Sequence, residues 1–417
     1  MTKPSYKWVF RSRFRRHAFG WRSQPAITRI REAVSEIKKV ARKDPVLGAE
    51  GAVLFLEKVA AAIQNVDGSS GAIGSSVNRA IVELSAIIGR APADDIQREK
   101  WLNRLWQAIQ DDDMPYLELL ADEWGEVCAT KVHASHWADE FIDTVRAVWS
   151  PDTPRGSWFK GSYACLSALF KAERYDELIE LVELDSHNWW SSRFWCVKAL
   201  AVQGKGAAAI EYAEATDLRY ANPASVAQTC EEILLTDGLA DEAYSRYALA
   251  ANRKTTHLAT FRAIAAKYPD RDKATILHDL VTRTRGEEGK WFAAAKSVGL
   301  FEEAIELANC TPCDPKTLTR AARDMAKKNP AFAMEAGLTA LRWLLSGYGY
   351  DITSIDVSSA YLHTMAAAVN AGCAPAARAR VTQLLENASS DGMFSAQIMQ
   401  RMLLTEETNS LTLPADQ

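Results

Sequence analysis

Four segments of this chain share one design. Glu173-Arg-Tyr-Asp-Glu-Leu-Ile179, Gly204-Lys-Gly-Ala-Ala-Ala-Ile210, Gly238-Leu-Ala-Asp-Glu-Ala-Tyr244 and Gly299-Leu-Phe-Glu-Glu-Ala-Ile305 each read as a tight turn followed by a helix start. In three of them an acidic pair (Asp176-Glu177, Asp241-Glu242, Glu302-Glu303) falls in the first helical turn, where the positive helix end stabilises it by about 0.3–1 kcal/mol. An Ala-rich helix precedes each, so the repeated unit is an antiparallel helical hairpin. The spacings are 31, 34 and 61 residues, the last close to two units, and a weaker copy begins at Gly372. A hairpin of this kind cannot bury its apolar face alone, and stacking against neighbours is the expected solution.

Composition agrees with an all-α chain. Ala, the strongest helix former, accounts for 67 of 417 residues, while Gly (21) and Pro (14) are scarce. Seven scattered cysteines (Cys128, Cys165, Cys196, Cys230, Cys310, Cys313, Cys373) read as reduced core thiols. No apolar h-region follows the basic start and no stretch approaches 18 uncharged apolar residues. The expectation is a cytoplasmic protein that makes no use of a membrane.

Before the repeats, Ser23 and Pro25 open a helix with Ile27, Ile30, Val34, Ile37 and Val40 on one face, and Asp44-Pro45 ends it while capping the next. That next helix carries Val53, Leu54, Leu56, Val59 and Ile63. Ser75 or Ser76 is expected to cap a third, closed by Gly89. Three more are expected near 94–110, 115–130 and 132–149, with a linker over 150–156. The domain reading is therefore an arm at 1–22, a helical bundle at 23–150, a repeat region at 157–390, and a C-terminal helix with polar tail at 391–417.

The hairpin marks resemble the tetratricopeptide class of repeats over roughly 160–310, and more weakly over 320–390. That resemblance implies a right-handed α-solenoid of stacked hairpins with an extended concave face. The N-terminal stretch, from Phe19-Gly-Trp-Arg22 through Lys43-Asp-Pro-Val-Leu-Gly48 and Ser69-Ser-Gly-Ala-Ile-Gly74, resembles an uncharacterised bacterial family of helical proteins. It implies no activity and supplies no catalytic residue.

Net charge is only -4, from 49 Lys and Arg against 53 Asp and Glu, but this is a cancellation. Residues 1–43 hold 13 Lys/Arg and two acids, a net of +11, which leaves -15 for the remainder. Within that head, Lys7, Arg11, Arg13, Arg15, Arg16 and Arg22 alternate with Trp8, Phe10, Phe14, Phe19 and Trp21. Guanidinium groups pair with phosphates and rings stack on bases, so the composition suits nucleic acid. It also suits an arm folded onto an acidic surface of a partner or of its own chain, such as residues 44–150 with 18 acids against 8 bases, or a solvated tail; rings in this number favour docking, because exposed Trp and Phe are poorly tolerated. An ordered arm favours docking and a free one favours nucleic acid.

Other constellations are weighed in the same way. Trp158 and the run Trp189, Trp190, Arg193, Trp195 are the best local candidates for a partner-binding surface on a solenoid, with plain core as the alternative. His133, His136 and Glu140 share a helical face that could ligate a metal, although no Glu follows His133 and no further ligand cluster is evident. Cys310-Thr-Pro-Cys313 is a single CxxC without strands around it, hence structural thiols. The Gly68–Gly74 loop lacks the Gly-Lys-Ser/Thr ending of a phosphate loop and reads as a turn, and Asp111-Asp112-Asp113 reads as a solvated one.

No catalytic set stands out, no cofactor is called for, and the extended surface suits binding more than chemistry. The first expectation is a non-enzymatic scaffold or adaptor that holds a protein partner. The alternative is a nucleic-acid-binding protein of a mobile-element or phage-related system that contacts phosphates through residues 1–43.

Overall fold

Every turn marked by the repeated segments places its hinge residue in the left-handed region: Glu173 at φ 61°, Gly204 at 75°, Gly238 at 76°, Gly299 at 85° and Gly372 at 70°. In the computed structural model, which describes residues 6–150, 153, 157–185, 188–217, 219 and 221–411 (backbone only for 406–411), four of these turns close identically. Arg174, Lys205, Leu300 and Cys373 donate their N–H to Leu169, Leu200, Ala295 and Ala368, five residues back. This pattern satisfies the last carbonyls of the preceding helix and needs a positive φ, which glycine adopts without cost. Gly204→Ala is therefore expected to destabilise by about 1 kcal/mol, and Glu173→Gly, at the one non-glycine hinge, to stabilise by up to about that amount. Urea unfolding midpoints of the two variants, which should move in opposite directions, check this.

The described residues hold 22 α-helices, three short 3-10 helices and no strand. The chain divides into two compact units, residues 1–237 and 238–417. The first contains α1 (Ser23–Ala41), α2 (Pro45–Ile63), α3 (Ala72–Arg90), α4 (Asp95–Gln110), α5 (Glu118–Asp122), α6 (Trp124–Cys128), α7 (Lys131–Trp149), α8 (Ser162–Lys171), α9 (Tyr175–Glu183), α10 (Trp190–Val202), α11 (Gly206–Glu214) and α12 (Pro223–Thr236). The second contains α13 (Ala240–Asn252), α14 (His257–Lys267), α15 (Lys273–Arg283), α16 (Phe292–Ser297), α17 (Phe301–Cys310), α18 (Pro315–Met325), α19 (Pro330–Leu345), α20 (Ser354–Asn370), α21 (Ala374–Glu386) and α22 (Met393–Leu411).

In the N-terminal unit α2 is buried nearly all round, with Ala52, Val53, Phe55, Leu56 and Val59 fully enclosed, and α1, α3 and α4 pack on it. Asp44 caps α2 through the Leu47 N–H (3.0 Å), as its place before Pro45 implies. One continuous core runs from Trp8 to Ala199. The expected linker lies mostly outside the described residues, of which only Ser150 and Thr153 fall in it, but α7 and α8 on either side pack directly on each other.

Three local expectations are corrected. Helix α3 starts at Ala72 behind a left-handed Gly71, upstream of Ser75 and Ser76, and it runs past Gly89 to Arg90. Gly89 serves close packing: a Cβ there would overlap the backbone carbonyl of Glu126. The Asp111–Asp113 turn is not simply solvated, because Asp112 is buried and its carboxylate accepts the Leu117 N–H at 2.7 Å. Nearby, the Lys160 ammonium donates to the carbonyls of Ile109, Gln110 and Asp112, where the negative end of α4 favours a cation.

In the C-terminal unit, α13 to α16 pack mainly on near neighbours in the chain, α17 packs on α16 and α19, and α18, α19 and α20 form a tight trio that α21 and α22 cover. Gly337 lets α20 approach α19 closely, since a Cβ would overlap Thr364. The Trp343 indole N–H donates to the Ala308 carbonyl (2.8 Å), tying α19 to the end of α17.

Candidate nucleic-acid interface

The basic arm is a built part of the N-terminal unit. Trp8, Phe10 and Phe14 are buried, and Phe10 and Phe14 close edge-on against Phe55 of α2, with ring centroids 5.8 and 5.1 Å away. Edge-to-face pairs of this kind add about 0.5–1.5 kcal/mol each to the burial of the rings. Gly51 of α2 makes room for Trp8, whose indole a Cβ would overlap. One carboxylate organises the start of the arm: Glu36 of α1 accepts the N–H groups of Val9 (2.9 Å) and Phe10 (3.2 Å). Further along, His17 and Phe19 donate to the carbonyls of Ala61 and Ala62, and Asp67 donates to that of Trp21.

The charges face the other way. Lys7, Arg11, Arg15, Arg16 and Arg22 are exposed, and among the described residues none of them forms an ion pair. Arg13 alone is paired, with Glu32 at 2.7 Å, a carboxylate shared with Arg29 at 2.6 Å. The Arg29 guanidinium, chiefly, holds the Glu32 carboxyl below its usual range. The acids that receive the arm are thus Glu32 and Glu36, both inside the basic head, and not the acidic stretch 44–150. Of the arm's larger rings Trp21, at 72%, and Tyr6, at 43%, remain exposed.

The other candidates are used differently. Trp195 is buried at 5% exposure against Phe170 (5.6 Å), with the Lys198 ammonium 4.4 Å from its ring centroid. Arg193 clamps α10 to α11: it donates to the Tyr212 carbonyl (2.7 Å) and the Thr216 hydroxyl (2.9 Å) and lies 3.9 Å over the Tyr212 ring. Trp190 is half-buried against Phe194, whereas Trp189 and Trp158 are exposed. These five candidates therefore offer a partner two well-exposed rings, Trp158 and Trp189. His133 turns to Asp95 (3.1 Å), while His136 and Glu140 are exposed. Among the described residues no group of three or more His, Cys, Asp or Glu could hold a metal ion. Cys313 is buried, which pushes its thiol up to about 12, but Cys310 is exposed and departs from the reading of core thiols.

One titratable cluster had no sequence signal. Burial pushes the Asp122 carboxyl on α5 up to about 6, and Glu118 and Glu123 add to the rise. Burial also raises Glu123 and lowers Lys198. Because Asp122 binds its proton more tightly folded than unfolded, its contribution to stability is full below its unfolded value of 3.8 and is lost as pH rises through about 6. Asp122→Asn is expected to stabilise by about 1–2 kcal/mol at pH 7.5, a rise of a few degrees in Tm, and to change little at pH 4. Thermal melts at the two pH values check this.

Fold and surface together define an all-helical protein with a cationic outer face on its N-terminal unit and no described helix long and apolar enough to cross a membrane. Comparison with family models, curated proteins and solved structures finds no match to the chain.

Proposed function

We propose that this chain is a non-enzymatic binding protein that holds nucleic acid on the cationic face of its N-terminal unit. The observation that supports the reading is the division of labour in the arm: Trp8, Phe10 and Phe14 anchor it, and Lys7, Arg11, Arg15, Arg16 and Arg22 stand exposed without an ion pair among the described residues. Cations fixed in this way meet a polyanion with less conformational entropy left to lose than a free tail has. By the criterion drawn from the sequence the ordered arm favours docking, and its rings are docked; the cations left outward stay open to phosphates, while base stacking is left to Trp21 and Tyr6.

Salt dependence tests the reading. With a single-stranded oligonucleotide, log K should fall linearly with log salt, and replacing Arg11, Arg15 and Arg16 together by Gln should reduce the slope by about 2. An unchanged slope, or no complex even at low salt, would contradict it.

A second reading, the scaffold for a protein partner, draws support from the C-terminal unit. A groove of about 930 Å³ between α17 and α19 exposes parts of Leu300, Phe301, Ile305 and Met334 beside Glu302 and Glu306, a pattern suited to a basic amphipathic helix. Calorimetric titration with such a peptide reads it, and absence of heat at micromolar concentrations would remove it. We also read the hairpins as units of a right-handed α-solenoid, on the strength of the shared turn geometry.

A further inference from the structure

Helices α1 and α3 lie side by side and run in the same direction, with Gln24 and Ile27 facing Ala72 and Ser75 at one end and Ala41 and Arg42 facing Ile87 and Arg90 at the other. Between them runs a groove of about 770 Å³ that continues into a depression of about 420 Å³. Its rims are rows of cations. Arg31 on α1 and Arg42 at its C-cap, still in helical conformation, are eleven residues apart, about 16 Å at 1.5 Å per residue, and Arg79 and Arg90 on α3 repeat that spacing. All four are exposed, and among the described residues none forms an ion pair. Glu83 is the sole acid on these walls, and it pairs with Lys38 across the groove at 2.8 Å.

We propose that this groove is a track for one single-stranded phosphodiester chain, with the Lys38–Glu83 pair as a bridge that opens when a phosphate replaces the carboxylate. The proposal rests on the nucleic-acid reading above and locates the main contact away from the arm. Three features select the occupant. The large apolar residues beneath the main groove are spent in the core, with Ile27, Ile30 and Val34 between 1% and 8% exposed, and only Ile87 and small groups such as Ala41, Ala72 and Ala86 are partly open, too little apolar surface to seat an amphipathic acidic helix. Two cation rows about 16 Å long suit a chain of phosphates and exceed what one small anion uses. Helices in contact have axes about 8–10 Å apart, so one backbone lying along the groove can reach both cation rows, whereas the two backbones of a duplex stand about 12 Å apart across its major groove.

The test uses the full chain and a fluorescent 20-nucleotide single strand. Replacing Arg31, Arg42, Arg79 and Arg90 together by Gln is expected to weaken binding at least tenfold at 0.1 M salt and to lower the salt slope by about 3, at about 0.7 per phosphate contact. Glu83→Gln, which frees Lys38, is expected to tighten binding severalfold. The substituted residues are surface groups, and an unchanged far-ultraviolet dichroism melt confirms that the fold persists. Wild-type affinity in the quadruple variant, or weaker binding by Glu83→Gln, would overturn the groove assignment. If the arm variant alone lowers affinity, only this assignment fails; if the wild-type chain binds no strand at all, the reading beneath it fails too.

Discussion

Phe14→Ala is expected to destabilise the N-terminal unit by about 3–4 kcal/mol. The ring is 1% exposed and packs at 5.1 Å on Phe55, 5.4 Å on Phe19 and 6.4 Å on Phe10, so truncation leaves a cavity lined by rings that cannot close it. A domain is typically stable by only 5–15 kcal/mol, so the loss is a large share of the total and should appear as a lower denaturant midpoint with an unchanged slope. A change below 1 kcal/mol would mean that the arm does not contribute to the core. The same packing explains why removing residues 1–22 is a poor probe of charge: it would expose Phe55 and the flank of α2 and mix unfolding with lost affinity. Glutamine substitutions of the exposed arginines separate the two effects.

Arg98→Leu is expected to cost about 2–3 kcal/mol. Arg98, on α4, is 3% exposed, and its guanidinium donates to the carbonyls of Ile88, Ala91 (2.7 Å) and Val127 (3.2 Å). These carbonyls belong to the end of α3, the residue after it and α6, so one side chain on α4 ties three helices at a common corner. Burial lowers its pKa, but the group remains charged; leucine would remove the guanidinium from the Val127 carbonyl and leave the Ile88 and Ala91 carbonyls only the backbone N–H groups of Ala91 (3.3 Å) and Ala93 (2.9 Å). Arg98→Lys should restore only part of the loss, since one ammonium on a flexible stem cannot replace a planar fork. Chemical denaturation of both variants decides it; a leucine variant as stable as the parent would show that the corner is held by packing alone.

What was legible in the sequence follows from how local each cause is. The hinges at Gly204, Gly238, Gly299 and Gly372 could be read because a left-handed residue is a property of one position. The faces of α1 and α2 could be read because the 3.6 period lies within each segment, and the residues it selects on α1 are all buried. Gly89 misled because glycine has two uses, and only the position of Glu126 shows that close approach is the one at work. The abundance of rings in the arm signalled docking, yet the receiving carboxylates, Glu32 and Glu36, sit in the most basic stretch, where a tally of charge by segment hides them. The groove was out of reach for the same reason. Arg79 and Arg90 stand in an acidic stretch and become half of a cationic track only when α3 is laid beside α1. The aromatic run 189–195 divides between core and surface because helical geometry turns Trp195 inward and leaves Trp189 out.

Amide hydrogen exchange along residues 7–22 tests most directly the claim that the basic arm is a folded part of the body with its charges outward. The N–H groups of Val9, Phe10, His17 and Phe19 each have an acceptor in α1 or α2, so they should exchange far more slowly than an unstructured peptide, while those of the exposed Arg15 and Arg16 exchange fast. Uniform exchange at the free-peptide rate across the arm would contradict the account.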